Sequence, residues 1–377
     1  LKLSMLEGLK DVVRGWVGPP PNDSHVAVGP IALEYAYADL AAATGGFRAE
    51  NRLGAGAAGA VFRGVVRGGT EVAVKVLKEA VGEEGDARGF EEELRVLSRF
   101  RHPNLVMLLG WARNGDDRFL VYELLPGSDV AKKLWKCGRR ETSFPWRHRL
   151  RVARDASCGL SYMVNRQPKA FHRDIKTANI LLDAHGAAKM ADFGLAGITA
   201  ARGGRQITYD HISGSHGYAC PHYLETGCVS EQSEAYSFGI VLLELLLNRL
   251  PACAGPDGVI RYPLLEFVQP GMPKATERVL AGLDAQAEWP QPFAGEALDI
   301  GLSCVARSER RPLFETMVQV LRHLCSASGA DGESVAHATH GSPTALSAVQ
   351  TLRPSASAPP AALRHVQRGV VVPEPAG

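Results

Sequence analysis

The chain has no segment long and apolar enough to span a bilayer. Its most hydrophobic stretch, Ile240 to Leu247, is interrupted by Glu244, and it falls short of the roughly 20 residues a spanning helix requires. No C-x-x-C pair occurs among the seven cysteines Cys137, Cys158, Cys220, Cys228, Cys253, Cys304 and Cys325. A disulfide framework or a zinc site calls for close, paired spacings. These odd and scattered residues read instead as reduced thiols, most of them packing groups, in a cytoplasmic protein. Charge of one sign is not in excess, since the formal net charge is +2, and neither nucleic acid nor an anionic membrane is expected as main partner. The start of the chain lacks a long apolar run followed by a small-residue cleavage site. Leu1 stands where an initiator methionine would, which leaves room for an upstream segment and for the chain being the intracellular part of a larger or membrane-associated protein.

What is present is size and pattern. With 377 residues, 45% of them hydrophobic, the chain can bury two cores and still carry dispensable ends. Residues 1–34 hold the cluster Pro19, Pro20, Pro21 and little periodicity, and are expected to be a loosely ordered leader. Residues 326–377 are rich in Ser, Ala, Pro, Gly and His. Such a composition cannot offset its ordering entropy, so a disordered tail is expected there. Between them, 35–325 reads as one patterned domain. In Glu71 to Leu77, alternation puts Val72, Val74 and Val76 on one strand face and Ala73, Lys75 and Leu77 on the other. From Ala87 to Phe100 the spacing predicts a helix with the stripe Phe90, Leu94, Leu97 and with Glu93 on its flank. After residue 127 helical periodicity dominates: Trp146 to Val164, Glu234 to Asn248 and Phe314 to Leu324. A sheet-rich part followed by a larger helical part suggests two lobes and a ligand-binding cleft.

Four groups of residues carry chemistry. Gly54, Gly56, Gly59 and Val61 match G-x-G-x-x-G-x-V, whose glycines let backbone N–H groups approach phosphate oxygens. A dinucleotide site would continue into a helix. Here Val61 to Val65 reads as a strand, so a hairpin is expected. Lys75 reads either as a snorkelling lysine or, paired with Glu93, as an ammonium positioned for α- and β-phosphates. In Phe171-His172-Arg173-Asp174-Ile175-Lys176-Thr177-Ala178-Asn179, Asp174 can accept a hydroxyl proton and Lys176 can neutralise a phosphoryl group in transfer. Asn179 can ligate a hard cation through its amide oxygen. Asp192, in Ala191-Asp192-Phe193-Gly194-Leu195, offers a second oxygen to Mg²⁺.

In this order, these strings resemble the eukaryotic protein kinase superfamily, and the likeness runs from about Tyr35 to Leu324. The phrases Ala43-Thr44-Gly45-Gly46-Phe47, Leu97 to Val106 and Tyr236 to Leu245 are most similar to the plant receptor-like and Pelle/IRAK serine/threonine group. The resemblance implies an α+β, bilobal protein kinase fold. Its N-lobe, about 47–125, would be a small antiparallel sheet plus helix, and its C-lobe, about 126–325, mainly helical. It implies ATP and Mg²⁺ as ligands, a protein substrate, and an upstream receptor or adaptor in a signalling role. By position it assigns Leu53, Gly54, Gly56, Gly59, Val61, Ala73, Lys75, Glu123 and Leu125 to the nucleotide, with Tyr122 as gatekeeper. Asp174, Lys176, Asn179, Lys75 and Glu93 would be catalytic, and Asn179 and Asp192 would carry metal. Leu97, His172 and Phe193 would stack as an internal spine, and Ser215 would bridge Asp174 and Lys176. Lys176, two residues after Asp174, fits the serine/threonine branch. The rival readings are a pseudokinase scaffold that holds nucleotide without turnover and a small-molecule phosphotransferase of related fold.

Three positions depart from the family's pattern. His222 stands where a glutamate normally pairs with the arginine matched by Arg311. Breaking such a buried pair costs about 3–5 kcal/mol unless neutral His222 accepts from Arg311 or the arginine reaches water. Glu234 replaces an aspartate that holds the catalytic loop, and Tyr162-Met163-Val164 replaces Tyr-Leu-His. Arg173, beside Asp174, is the kind of arginine that pairs with a phosphorylated activation segment. Thr199, Thr208, Tyr209, Ser213 and Ser215 are the candidates, and Thr208 or Ser213 is favoured.

Overall fold

The valine alternation at 72, 74 and 76 organises the smaller of two units. The computed structural model describes residues 32–56, 59–77, 85–200 and 203–330. Backbone contacts divide the chain into two compact units, one from residues up to 83 with 108–124, the other from 84–107 with 125 onward. The first unit contains β1 (Leu33–Glu34), α1 (Tyr37–Ala43), β2 (Arg52–Gly56), β3 (Gly59–Val65) and β4 (Glu71–Leu77). After α2 (Gly85–Arg99) of the second unit, it resumes with β5 (Leu108–Asn114) and β6 (Asp117–Glu123). Its strands lie in the order β1-β5-β6-β4-β3-β2. All pairings are antiparallel except the short β1 against β5.

Val72, Val74 and Val76 pack on Leu40 of α1 and on Ala112, Phe119 and Val121. Removing one such side chain from water is worth about 1.5–3 kcal/mol, so this face fixes the register of β4. The opposite face, by cross-strand pairing, carries Val61, Ala73, Lys75 and Tyr122 together. Lys75 itself is buried. The glycine motif is a β2–β3 hairpin, as its strand-like continuation suggested. Gly59 has φ +107, and a Cβ there would lie 2.1 Å from the carbonyl oxygen of Val76, so only glycine lets β3 meet β4 at that point.

The second unit continues with α3 (Val130–Gly138), α4 (Trp146–Asn165), β7 (Ala170–Phe171), β8 (Ile180–Leu182), β9 (Ala188–Met190), β10 (Gly197–Ile198) and β11 (Gln206–Thr208). Then follow α5 (Pro221–Thr226), β12 (Cys228–Ser230), α6 (Glu231–Leu247), α7 (Pro263–Val268), α8 (Ala275–Ala281), α9 (Gln291–Cys304) and α10 (Phe314–Ala327). Helix α6 is buried almost all round, which explains why its sequence is apolar on every side and lacks a clear stripe. It packs on α9 and α4, and α4 packs on α10. The apolar face of α4 is inward: Leu150, Ala153, Ser157, Leu160 and Val164 are all buried. Ser230 and Ser233 form a reciprocal cap that starts α6 three residues before the expected Glu234. Among the described residues, no helix is long and apolar enough to cross a membrane.

Three expected boundaries move. Leu33 and Glu34 belong to the sheet and not to a loose leader, because they pair with Gly110 and Trp111 of β5. Residues 84–107 group with the helical unit, because Asn104 and Val106 exchange hydrogen bonds with Met190 of β9. Helix α10 runs past 325, and Ser328 carbonyl accepts from Arg147 Nε at 2.9 Å, so order continues through Ala330. The remainder of the expected leader and tail, 1–31 and 331–377, lies outside the described residues.

Candidate active site

The β8–β9 hairpin brings two chemical strings side by side. Ile180 pairs with Met190, and the Ala191 N–H donates to the Asn179 carbonyl at 2.9 Å. Asn179 therefore closes one strand just where Asp192 leaves the other. The loop between β7 and β8 is held from below by Glu234 of α6, whose carboxylate accepts the amides of His172 at 2.6 Å and Arg173 at 2.9 Å. The longer side chain at this position thus still reaches both donors. Arg173 and Asp192 both adopt left-handed backbone, φ +68 and +62, a conformation costly for a side chain as large as arginine and held at Arg173 by its amide bond to Glu234.

Within that frame the carboxylate of Asp174 is surrounded by donors. Ser215 Oγ donates to its Oδ1 at 2.7 Å. Lys176 Nζ lies 2.8 Å from its Oδ2 and donates to Ser215 Oγ at 2.8 Å. Asn179 Nδ2 donates to Asp174 Oδ2 and to its carbonyl, both at 2.9 Å. Asp174, Lys176, Asn179 and Ser215 are therefore one cluster. The amide nitrogen of Asn179 faces Asp174, which leaves its Oδ1 for a cation beside Asp192. Two oxygen donors, one just before β8 and one just after β9, suit Mg²⁺, which takes few protein ligands. Among the described residues no three His, Cys, Asp or Glu side chains gather as a metal site.

Buried His172 packs against Phe193, ring centroids 4.7 Å apart and planes tilted by 46°. Burial lowers its pKa, so the ring is neutral, with Nε2 donating to Ala191 O at 3.0 Å and Nδ1 accepting from Asp174 N at 3.3 Å. Glu93, on the flank of the α2 stripe, is 1% exposed and accepts the Phe193 N–H at 3.1 Å. Of the three consecutive acids only Glu93 is buried; Glu91 is exposed and Glu92 half-buried. In the first unit Lys75, Val61 and Ala73 share a sheet face, Leu53 is exposed, and Gly54 and Gly56 flank the hairpin tip. Glu123 is half-buried at the end of β6, and Leu125, already in the second unit, is half-buried too.

Residues 47–316 match the protein kinase domain family. The chain belongs to the protein kinase family. It is 36% identical over 318 residues to the proline-rich receptor-like protein kinase PERK3 of Arabidopsis thaliana, covering 80% of this chain and 60% of that protein. With PERK1 of the same plant the identity is 35%, over 86% of this chain and 50% of the relative. With the serine/threonine-protein kinase CDG1, also of Arabidopsis thaliana, it is 33%, over 77% and 68%. The chain thus spans only part, about half, of the proline-rich receptor-like relatives it matches.

Against the kinase pattern, Arg311 is the informative departure. It is half-buried and so still reaches water, one of the two routes expected for it, while neutral groups of the chain take two of its nitrogens. Its Nε donates to Ala306 O at 2.9 Å, and one Nη donates to Gln232 O at 3.0 Å and to Cys220 Sγ at 2.9 Å. Its guanidinium also lies over the Tyr236 ring at 5.0 Å. His222 is exposed and bonds only locally, to Thr226. Met163 and Val164 are core residues of α4. A further trio escaped the sequence reading: Thr177 Oγ1 lies 3.1 Å from Tyr218 Oη, which donates to Glu244 Oε2 at 2.5 Å. It ties the catalytic loop to α6, and no local periodicity marks it.

Burial raises the pKa of both Glu234 and Glu244 from 4.5 to about 7. A carboxyl group whose folded pKa lies above its unfolded value contributes stability that is complete below about pH 4.5 and lost as pH rises through about 7. Glu244→Gln keeps an acceptor for Tyr218 and removes the charge. Its stability relative to wild type is expected to rise by on the order of 3 kcal/mol between pH 5 and pH 8. Urea titrations at the two pH values check this; parallel stability curves would contradict it.

Proposed function

We propose that this protein kinase is a serine/threonine kinase that transfers the γ-phosphoryl group of ATP to a protein hydroxyl in a signalling pathway. The observation that carries the reading is the donor-ringed Asp174, whose carboxylate is fixed by Lys176, Ser215 and Asn179. Asp174 orients the acceptor hydroxyl and takes its proton as the oxygen bonds to the γ-phosphorus. The bond from that phosphorus to the β–γ bridging oxygen breaks, and ADP leaves. Lys176, already beside Asp174, offsets charge on the group in transfer. Gly54, Gly56, Gly59 and Lys75 are assigned to the phosphates, and Leu53, Val61, Ala73, Glu123 and Leu125 to the base. Glu93 orders the segment around Phe193 and is assigned to Lys75. Asn179 and Asp192 would hold Mg²⁺, which neutralises phosphate charge when bound. Preference for serine or threonine is inferred from Lys176, and from CDG1, whose name describes a serine/threonine-protein kinase.

Incubation with γ-labelled ATP, Mg²⁺ and a generic basic protein tests this. Label is expected on serine and threonine by phosphoamino-acid analysis, and is expected to vanish with EDTA and in Lys75→Met. Nucleotide binding with no label transfer would establish the scaffold reading in its place. Label on tyrosine alone would refute the specificity.

A further inference from the structure

Arg173 reaches out of the catalytic loop into the segment that follows Asp192. One terminal nitrogen donates to Leu195 O at 2.8 Å and the other to Tyr223 Oη at 3.0 Å. The ring of Tyr209 covers the guanidinium, 3.4 Å from carbon to centroid. Tyr223 Oη in turn donates to Ser213 O at 2.9 Å and accepts from Ser213 N at 3.0 Å. One cation therefore binds three points of the segment to the loop that carries Asp174, and among the described residues no carboxylate hydrogen-bonds to its guanidinium.

The pose of Tyr209 is built in. Strand β11 pairs with β12 through Gln206, Ile207 and Thr208, and the Tyr209 N–H continues the ladder to Gly227 O at 3.0 Å. The phenol lies over Gly197, where a Cβ would fall 1.9 Å from its oxygen. Any larger residue at 197 would expel the ring. Burial raises the phenol pKa, so a neutral aromatic face meets the cation. A phosphate on Thr208 or Ser213, the arrangement expected from sequence, would have to displace this ring to cover Arg173. Thr208 itself is exposed on β11.

We propose that Tyr209 is a positioning residue that takes the place of a phosphate: its ring holds Arg173, and with it the activation segment, in register for the acceptor, so that phosphoryl transfer does not depend on phosphorylation of Thr208 or Ser213. The proposal rests on the kinase reading above and concerns how that same site is ordered.

The test compares wild type with Tyr209→Ala, Tyr209→Phe and the double variant Thr208→Ala/Ser213→Ala, in initial-rate assays on a basic protein. Tyr209→Ala is expected to lower kcat by about tenfold with the KM for ATP held within about twofold, and Tyr209→Phe to restore the rate. The double variant is expected to keep wild-type kcat. Hydrogen exchange on phosphatase-treated protein gives the second readout: the amides of Ile207 and Tyr209 should exchange about tenfold faster in Tyr209→Ala than in Tyr209→Phe, with α4 unchanged. Loss of activity in the double variant, or equal kcat in Tyr209→Ala and wild type, overturns the proposal. If wild type transfers no phosphoryl group, the kinase reading fails by itself. Exchange then still judges Tyr209, and equal protection in the two variants overturns its role.

Discussion

Asp174→Asn is expected to lower kcat for phosphoryl transfer by about 10²–10⁴-fold, the range for loss of a positioned general base. The substitution keeps volume, so the argument is about donors and acceptors. Oδ2 of Asp174 receives both Lys176 Nζ and Asn179 Nδ2, and Oδ1 receives Ser215 Oγ. An amide presents only one oxygen, so its nitrogen must face either the Ser215 hydroxyl or the lysine and asparagine donors. The side chain loses its capacity to take a proton and its neighbours lose their common anchor. None of these groups is assigned to the adenine, so the KM for ATP should change little. Steady-state kinetics on purified variant and wild type decide the matter: a kcat within threefold of wild type would remove Asp174 from the role given to it.

The largest expected effect on stability lies away from that cluster. Arg149 is 0% exposed and donates to Phe144 O at 2.8 Å, to Leu245 O at 2.9 Å, to Cys137 Sγ at 3.5 Å and to Asp284 Oδ2 at 2.5 Å. It ties the start of α4 to the end of α6 and to the loop before α9. Asp284→Ala leaves the guanidinium buried with neutral acceptors only. Removing one partner of a buried pair costs about 3–5 kcal/mol, since the remaining charge is uncompensated. At about 2–4 °C per kcal/mol for a domain of this size, the unfolding temperature should fall by about 6–20 °C. Calorimetry on Asp284→Ala measures it. A fall of under about 2 °C would mean that the carbonyls alone satisfy Arg149, in contrast to the usual cost of an unpaired buried charge.

What could be read from the sequence was what neighbours in sequence decide. The β4 alternation located Lys75 opposite the valine core, and the α2 stripe singled out Glu93 from two adjacent acids, because both signals repeat every two or every three to four residues. The string from His172 to Asn179 is one loop, so its spacing already contained much of its geometry. Contacts across long separations left no such trace. Ser215 reaches Asp174 across 41 positions, Glu234 reaches His172 across 62 and Arg311 reaches Cys220 across 91. Ser215 and Glu234 were placed through the family's pattern, and the protein partners of Arg311 went unforeseen because its normal partner is replaced. Its substitutes are two carbonyls and a thiol, which no composition or periodicity singles out. Tyr209 was read only as a site for phosphate, since a ring stacked on a cation cannot be told in sequence from any other tyrosine. Leu33 and Glu34 carried no strand signal for a similar reason, as β1 is two residues long and pairs with the distant β5.

The central claim is that Asn179 and Asp192 mark the metal-assisted phosphoryl-transfer site anchored by Asp174. Anomalous diffraction from crystals grown with Mn²⁺ and a non-hydrolysable ATP analogue tests it most directly, because Mn²⁺ accepts the same oxygen ligands as Mg²⁺. The account expects an anomalous peak within bonding distance of Asn179 Oδ1 and an Asp192 carboxylate oxygen, with the terminal phosphate beside Lys176. Manganese and nucleotide bound with neither residue as a ligand would contradict it.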